Sequence, residues 1–519
     1  MLTIDDIEKS YSQIKRDIEH CLERGRVART IELIDTYAYV VQLINNLFRD
    51  DDIERWMEHI AETQLGLVVC EPGQNNKKIV FYDQIGSTIC LGLQYIRGLI
   101  ANGYEILYIF ESSVYMVNPN LLKELENNQI QYFVYNSNIN DQNELLALAR
   151  KIRQDILDYN PSRLIMHSPA FGALGNIVLY SIRGIMRYRI VPGDHHFYLG
   201  YGCIDYFLEF RDFGLKIAVE RRHIKKEQLF KLPYYPIVDR FLEFQGFPTE
   251  VKGKIIFAAS GGTYKFYGSN WFFEFAKWLL ITYKEVILLF IGNATPSMHA
   301  FIEQEHFEDR FIPLGYRKDF ASCIKHIDVL INSYPYSGGL ICQTAAYFKK
   351  PILSYFRDEE SLSRSIRAFL GAEGIGTSIS FNNENLLREY VDKLVSDASF
   401  RHSEGERIYS MLQTKEKFDK QLDGILSGTL FSNILITKRS CNIDERIRTY
   451  VMLQNSFSPS ILIPLVRGYG LQLPFKLTAL SGFIWENRCY FFKRICIEWI
   501  KCLPKFVQDA LRKKYQKSL

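Results

Sequence analysis

The sequence lacks paired cysteines and a clear excess of charge. Its ten cysteines are scattered over 519 residues without a C-x-x-C pair or zinc-finger spacing. Its 63 basic residues nearly balance 59 acidic ones. Disulfide scaffolds, structural zinc sites and general nucleic-acid binding are therefore not expected. With 47% hydrophobic and 24% charged residues, the composition predicts a globular protein of several domains.

Long apolar segments are also missing. The two longest uncharged windows, 164–182 and 329–348, are interrupted by Ser, Pro, Gly and Asn, which favours a strand, a loop and a helix start over a membrane span. The first residues are acidic, where a secretory signal is basic and then apolar. We therefore expect a cytoplasmic protein with no nucleic-acid partner.

The C-terminal stretch concentrates positive charge. Between residues 481 and 519, nine Lys and Arg stand against three Asp and Glu. Its polar residues lie along one stripe of a predicted helix, and apolar and aromatic residues cover the rest of that helix. This pattern is typical of a helix in a bilayer interface, and equally of a helix that packs on another domain. The basic residues favour peripheral contact with the inner face of an anionic membrane, or with a lipid-diphosphate acceptor.

The remaining pattern predicts an α/β fold class. Apolar spacing of three and four residues indicates a helical N-terminal region over 1–74. Short β-rich runs then alternate with helices over 75–248, and the same texture returns over 249–430, before a helical C-terminal segment over 431–519. This alternation predicts two doubly wound, Rossmann-like domains with parallel sheets. The predicted strands are 78–82, 106–110, 132–135, 164–166, 206–210, 254–258, 286–291, 329–331 and 351–355.

A glycine-bearing loop follows the first predicted strand of the second domain. It carries Gly261, Gly262 and Lys265 into a helix beginning near Trp271. Glycines let a backbone approach phosphate, a helix start offers N–H donors, and a lysine can neutralise a diphosphate. The loop is neither a Walker loop nor G-x-G-x-x-G, so an ordinary strand-to-helix turn is the alternative interpretation.

A second loop in this domain gives a stronger signal. A buried strand ends at Asn332, a Tyr-Pro turn follows with Tyr336 beyond it, and Ser337, Gly338 and Gly339 open a helix. Small residues at a helix start next to the end of a parallel strand predict an anion site.

This segment resembles the C-terminal domain of GT-B glycosyltransferases, in which such a helix start holds the donor diphosphate. The resemblance implies a ribose contact from Gln343 or Thr344, although many relatives have Glu or Asp there. It also implies that Tyr316 and Arg317, one element earlier, contact the nucleotide base.

A further motif lies in the first domain. The run Gly193–Tyr206 contains Asp194, His195 and His196, and the linker 232–236 reads Leu-Pro-Tyr-Tyr-Pro. This order is similar to the catalytic region of protein O-linked N-acetylglucosamine transferases and of bacterial adhesin glucosyltransferases. The likeness covers roughly residues 160–360 and concerns the order of motifs, and no tetratricopeptide repeats are present.

Histidine suits the general base of an inverting glycosyl transfer, because its ordinary pKa lies near 6.5. Both His195 and His196 are candidates for the base, and we expect His196 rather than His195; hydrogen bonding to loop backbone is the alternative for both. Asp83, directly after the first predicted strand, is a rival base, although a carboxylate before Gly-Ser-Thr is also ordinary turn chemistry.

These features predict a metal-independent, inverting GT-B glycosyltransferase with a nucleotide-diphosphate sugar, expected to be a UDP-sugar, as co-substrate and no other cofactor. The acceptor would be a glycan, a lipid-linked glycan or a protein, in polysaccharide biosynthesis or protein glycosylation. Two alternatives remain: a nucleotide-sugar epimerase of the same fold, and a non-catalytic sugar-nucleotide-binding or scaffold protein.

Overall fold

The computed structural model describes residues 4–44, 47–72, 77–86, 91–238, 242–262, 265–266, 269–335, 337–356 and 380–432. They divide into two compact units, the first formed by 4–208 and 216–230 and the second by 209–215 and 231–432. Tyr336 and the basic C-terminal tail, both singled out by the sequence, lie outside the described residues.

Three helices open the first unit, as the apolar spacing predicts: α1 (Ile4–Glu23), α2 (Val27–Ile44) and α3 (Asp51–Ile60). The pairing of α1 with α2 buries Ile14 and Ile18 completely. Asp50 begins α3 by accepting the amides of Asp52 and Ile53, which satisfies two of the N–H groups that a helix start leaves open.

A seven-stranded sheet in the order β4-β3-β2-β5-β7-β8-β9 follows the helices, and its pairings from β4 through to β8 are parallel. Its strands are β2 (Lys78–Asp83), β3 (Glu105–Ser112), β4 (Gln131–Asn136), β5 (Arg163–His167), β7 (Met186–Ile190), β8 (Tyr206–Glu209) and β9 (Leu229–Lys231), and β1 (Val68–Val69) pairs separately with β6 (Ile182–Arg183). The helices between them are α4 (Gly92–Ala101), α5 (Pro119–Asn127), α6 (Gln142–Tyr159), α7 (Ala173–Tyr180) and α8 (Asp212–Glu220).

The second unit contains a parallel six-stranded sheet in the order β12-β11-β10-β13-β14-β15. Its strands are β10 (Ile255–Ser260), β11 (Val286–Ile291), β12 (Phe311–Gly315), β13 (Val329–Ile331), β14 (Ile352–Tyr355) and β15 (Ser380–Phe381). Its helices are α9 (Trp271–Thr282), α10 (Pro296–Gln304), α11 (Phe320–Lys325), α12 (Gly339–Tyr347), α13 (Glu384–Ser396), α14 (Ala398–Ser410) and α15 (Lys415–Leu426).

Both faces of this second sheet are covered. Along β10, Phe257 and Ala259 belong to a core shared with α9 and α13, whereas Ile256 and Ala258 belong to a core shared with α11, α12 and α14. All six residues of β11 are buried. A strand buried on both faces reads as a continuous apolar run, so the fold class, α/β with two doubly wound parallel sheets, is confirmed.

No helix in the described part of the chain combines the length and the apolar character needed to cross a membrane.

Candidate functional site

The two predicted phosphate-binding loops meet at one edge of the second sheet. They follow β10 and β13, which are neighbouring parallel strands, so both loops leave from their carboxyl ends. A Cβ atom built on Gly261 would lie 3.5 Å from Cδ of Lys265 and 3.7 Å from Cδ1 of Ile341, and one on Gly338 would lie 3.5 Å from that same Ile341 atom. The structure therefore brings Gly261, Lys265 and Gly338 together around the first turn of α12.

Asn332 fixes the loop that leads into α12 through side-chain hydrogen bonds. It is buried at the end of β13, and its side-chain oxygen accepts the amide of Gly338 at 3.0 Å. Its amide nitrogen donates to Ser354 Oγ at 2.9 Å, and Ser337 Oγ lies 3.2 Å from the same nitrogen. The sequence analysis placed Asn332 at a strand end without giving it a role, although a polar residue closing an apolar strand is a usable signal.

The first turn of α12 leaves donors open. The Gly338 amide donates to Asn332. The next three amides, on Gly339, Leu340 and Ile341, have no hydrogen-bond partner among the described residues. Helix starts carry a partial positive charge and bind anions through such amides.

Lys265 is a largely buried cation next to that turn. Burial lowers the pKa of its ammonium group. No carboxylate in the described part of the chain forms an ion pair with it. An anion bound here would compensate for the lost hydration of the ammonium group.

Gln343 and Thr344, the predicted ribose contacts, lie within α12. Gln343 is buried and donates from Nε2 to the carbonyl of Tyr234 at 3.1 Å. Thr344 donates to the carbonyl of Leu340 at 2.9 Å. Both side chains bond to protein backbone in this structure.

Arg317 and Tyr316 follow β12. Arg317 makes a two-point ion pair with Asp319, with Nε to Oδ1 at 2.7 Å and Nη2 to Oδ2 at 2.6 Å, and Nη1 donates to Gly246 O at 2.9 Å. The ion pair lowers the pKa of Asp319 strongly. Of the two predicted base contacts, Tyr316 alone is open to solvent, with 77% of its surface exposed.

In the first unit, two buried arginines hold the histidine-bearing loop. Arg189 and Arg222 are fully buried, and their guanidinium carbons lie 4.3 and 4.5 Å from the ring centre of Tyr198. Arg222 donates to the carbonyls of Asp194 and His196, and Arg189 to those of Pro169 and Leu199, at 2.7 to 3.2 Å. Neither arginine was predicted from the sequence, because charged residues in a buried strand or after a helix carry no periodic signal.

His195 and His196 lie against each other in that loop, with ring centres 4.1 Å apart. His195 Nδ1 lies 3.2 Å from Asp194 Oδ1. Burial, assisted by His195 and Arg222, moves the pKa of His196 well below its ordinary value, so its imidazole is neutral at pH 7. A Cβ on Gly193 would lie 2.4 Å from His196 Nδ1, so this position requires glycine.

Asp83 is the last residue of β2 and is buried. Its Oδ1 accepts the amides of Ile85 and Gly86 at 2.8 and 3.1 Å and lies 3.1 Å from His167 Nδ1, while Tyr108 donates to Oδ2 at 2.7 Å. Burial raises the pKa of Asp83, but His167 and the two amides outweigh it, so the net shift is downward and the group is a carboxylate. These contacts favour the turn interpretation of Asp83 over the base interpretation.

The same contacts single out His167, which closes β5. Asp83 fixes its Nδ1, and its buried Nε2 has no hydrogen-bond partner among the described residues. The sequence analysis included His167 in a motif without assigning it a role. None of the described Cys, His, Asp and Glu residues form a cluster suited to a metal ion.

No family model matches this sequence, and no curated protein does either. Solved structures match over most of the chain. A glycosyltransferase from Rickettsia africae is 14% identical, with a TM-score of 0.52 over 70% of this chain and 100% of that one. HepE from Anabaena, solved with UDP, is 15% identical, with a TM-score of 0.48 over 68% of this chain and 100% of that one. An O-GlcNAc transferase mutant from Thermobaculum terrenum is 15% identical, with a TM-score of 0.46 over 86% and 83%. The chain has the fold of GT-B glycosyltransferases.

Proposed function

We propose that this protein is a glycosyltransferase that moves a sugar from a nucleoside-diphosphate donor, expected to be a UDP-sugar, to an acceptor hydroxyl. The observation that carries the proposal is the largely buried Lys265, without an ion-pair partner among the described residues, beside the open amides at the start of α12. A lysine and a helix start together suit a diphosphate better than a single phosphate or a neutral ligand.

In the proposed reaction, the base removes the proton of the acceptor hydroxyl as its oxygen attacks the anomeric carbon. The bond between that carbon and the phosphate oxygen breaks, and the nucleoside diphosphate leaves with an additional negative charge. Lys265 and the amides of Gly339 and Leu340 would stabilise this charge, because they are already oriented before the reaction.

His196 remains our proposed base. Its loop is fixed by Arg222 through two backbone carbonyls, and its imidazole is neutral at pH 7. The contacts of Asp83 assign it a structural role that orients His167. We keep inversion at the anomeric carbon as part of the proposal, because a base that activates the acceptor directly leads to a single displacement.

We propose different roles for the residues that were predicted to contact the donor. The residues that would face the diphosphate are Gly261, Gly262, Lys265, Gly338 and Gly339. Tyr316 would contact the nucleotide base. Ser337 would support the turn through Asn332. Gln343 and Thr344 already donate to the carbonyls of Tyr234 and Leu340, so we assign them no ribose contact in the proposal.

The test is incubation of the full-length protein with radiolabelled UDP-sugars, with calorimetric titration of UDP in parallel. A transferase should hydrolyse its preferred donor slowly and release free sugar, whereas an epimerase would form an isomeric UDP-sugar and a scaffold would only bind. If UDP gave no heat and no donor were consumed, the proposed function would be wrong.

A further inference from the structure

The first unit contains a cavity of about 690 Å³ at the carboxyl end of its sheet. Helix α2 forms one wall, through Asp35, Thr36 and Tyr39. The other walls come from the segments that follow β2, β3, β4 and β5. A volume of this size accommodates two or three sugar rings. Of the N-terminal helices, α2 therefore contributes to the lining of this cavity.

Carboxylates occupy the polar side of this cavity. Asp35 accepts the amides of Gly172 and Ala173 at 2.7 and 2.8 Å, and so already covers the N-terminus of α7. Glu111 is buried and accepts from Gln84 at 2.7 Å. Burial raises the pKa of both acids, that of Asp35 to about 7. Asp35 still carries part of its negative charge at pH 7 and occupies the amides at the start of α7, so the cavity is unfavourable for a phosphate.

One lining cation could offset that charge, but it is paired. Arg29 donates to the carboxylate of Glu32 at 2.6 Å, and both lie at the cavity wall. No other lysine, arginine or histidine lines the cavity among the described residues.

Gln84 gives a second, independent sign of a ligand. It is 2% exposed, and its nitrogen donates to Glu111 and to the carbonyl of Gly172. Gln84 lines the same cavity, and its Oε1 has no hydrogen-bond partner in the described part of the chain. A buried acceptor left open is costly unless a donor such as a hydroxyl group reaches it.

The apolar side of the cavity is aromatic. The rings of Tyr39 and Phe171 have centres 5.9 Å apart, and Tyr115 stacks on Phe171 at the same distance. Aromatic faces pack against the C–H faces of sugar rings, and hydrogen-bond acceptors take up their hydroxyl groups. Aromatic rings and hydrogen-bond acceptors both line this one cavity.

We propose that this cavity binds the hydroxyl groups of an uncharged saccharide and excludes phosphate-bearing ligands. The saccharide's role as the acceptor rests on the proposed function, but its binding to the cavity does not. Among the acceptors considered above, this selects a neutral glycan over a lipid diphosphate.

The test uses the full chain and two matched variants in one surface loop. Val114 lines the cavity and is 64% exposed, whereas Met116 is 90% exposed and does not line it. Val114→Trp should narrow the opening, and Met116→Trp adds the same ring elsewhere. Maltotriose, cellotriose and chitotriose are titrated into each protein by saturation-transfer NMR, with glucose 1-phosphate as the charged probe.

We expect at least one trisaccharide to bind, Val114→Trp to weaken it more than tenfold, Met116→Trp to leave it unchanged, and glucose 1-phosphate to bind more weakly. Binding by none of the three, equal binding to Val114→Trp, or stronger binding of glucose 1-phosphate would overturn the proposal. UDP titration of the same variants separates the two ideas: saccharide binding without UDP binding would refute the proposed function alone, and the reverse would refute this inference alone.

Discussion

At the scale of single residues, Lys265 makes the proposed donor site testable. Lys265→Met should reduce UDP affinity about 10- to 100-fold, because hydrogen bonds to charged groups contribute about 1.5–3 kcal/mol. Since burial lowers the pKa of Lys265, UDP affinity should also fall with rising pH, at a lower pH than for an exposed lysine, as the ammonium group loses its proton, and Lys265→Met should remove that dependence. Calorimetry from pH 7 to 10 measures both effects.

The matched control is Lys252→Met, which removes an exposed lysine from the same unit. It should leave UDP affinity unchanged. Equal affinities for the two variants would contradict the placement of the diphosphate beside Lys265.

Substitution of His196 should lower kcat, whereas substitution of Asp83 should lower Tm. Because a general base typically contributes about 10²- to 10⁴-fold, His196→Ala should lower kcat by at least about 10²-fold and keep UDP affinity and Tm. Its backbone carbonyl, which Arg222 binds, is unchanged by the substitution. Asp83→Asn should instead lower Tm, because the contacts to His167 and Tyr108 depend on a buried carboxylate. Steady-state kinetics and thermal unfolding of both variants test these expectations. A fully active His196→Ala variant would show that His196 is not the base.

Asp35 predicts a dependence of stability on pH. Its folded-state pKa of about 7 lies above the ordinary value of 3.8, so between these values the unfolded chain loses a proton that the folded chain keeps. This contribution is fully present below about pH 4, falls as the pH rises and is lost above about pH 7.

Asp35→Asn keeps an oxygen that can accept the amides of Gly172 and Ala173 but does not titrate. The Tm of the natural protein minus that of the variant should therefore decrease between pH 5 and pH 8. A difference that stays constant would contradict the raised pKa of Asp35.

At the scale of elements, the sequence is most informative where strands are continuously apolar. Val286–Ile291 and Val329–Ile331 are predicted to the residue, and both strands are fully buried. It is least informative where polar residues interrupt a strand: β7 reads Met-Arg-Tyr-Arg-Ile and was missed, because only the fold shows that Arg189 hydrogen-bonds to carbonyls of neighbouring loops.

The residues of the candidate site could likewise be predicted only where the signal is local in sequence. The positions of the two glycine-bearing loops could be predicted, because glycines and a strand-to-helix transition are local features. The roles of Asn332, His167 and Asp35 depend on partners 6 to 138 positions away in sequence, so no local pattern shows them. Arg317 shows the opposite case, because its partner Asp319 is only two positions away in sequence.

The start of α12 is the element on which donor binding should depend most. Asn332→Asp keeps an acceptor for the Gly338 amide but loses the donor to Ser354 and places a negative charge beside the proposed diphosphate. We expect UDP affinity to fall more than tenfold. Ser354→Ala removes the same hydrogen bond without a charge and should have a smaller effect, which calorimetry can measure. A larger effect from Ser354→Ala would show that the charge is unimportant.

At the scale of the whole molecule, the two proposed ligands should act on different units. Hydrogen exchange of the full chain with UDP should slow in peptides that contain Gly261, Lys265 and the first turn of α12, because bound anions would hold those amides. A bound neutral trisaccharide should instead slow exchange in α2 and in the segments after β3 and β4, which line the 690 Å³ cavity. Adding both ligands should protect both sets of peptides. Protection of α2 by UDP alone would place the nucleotide in the cavity that we assign to the saccharide, and would require the two assignments to be exchanged.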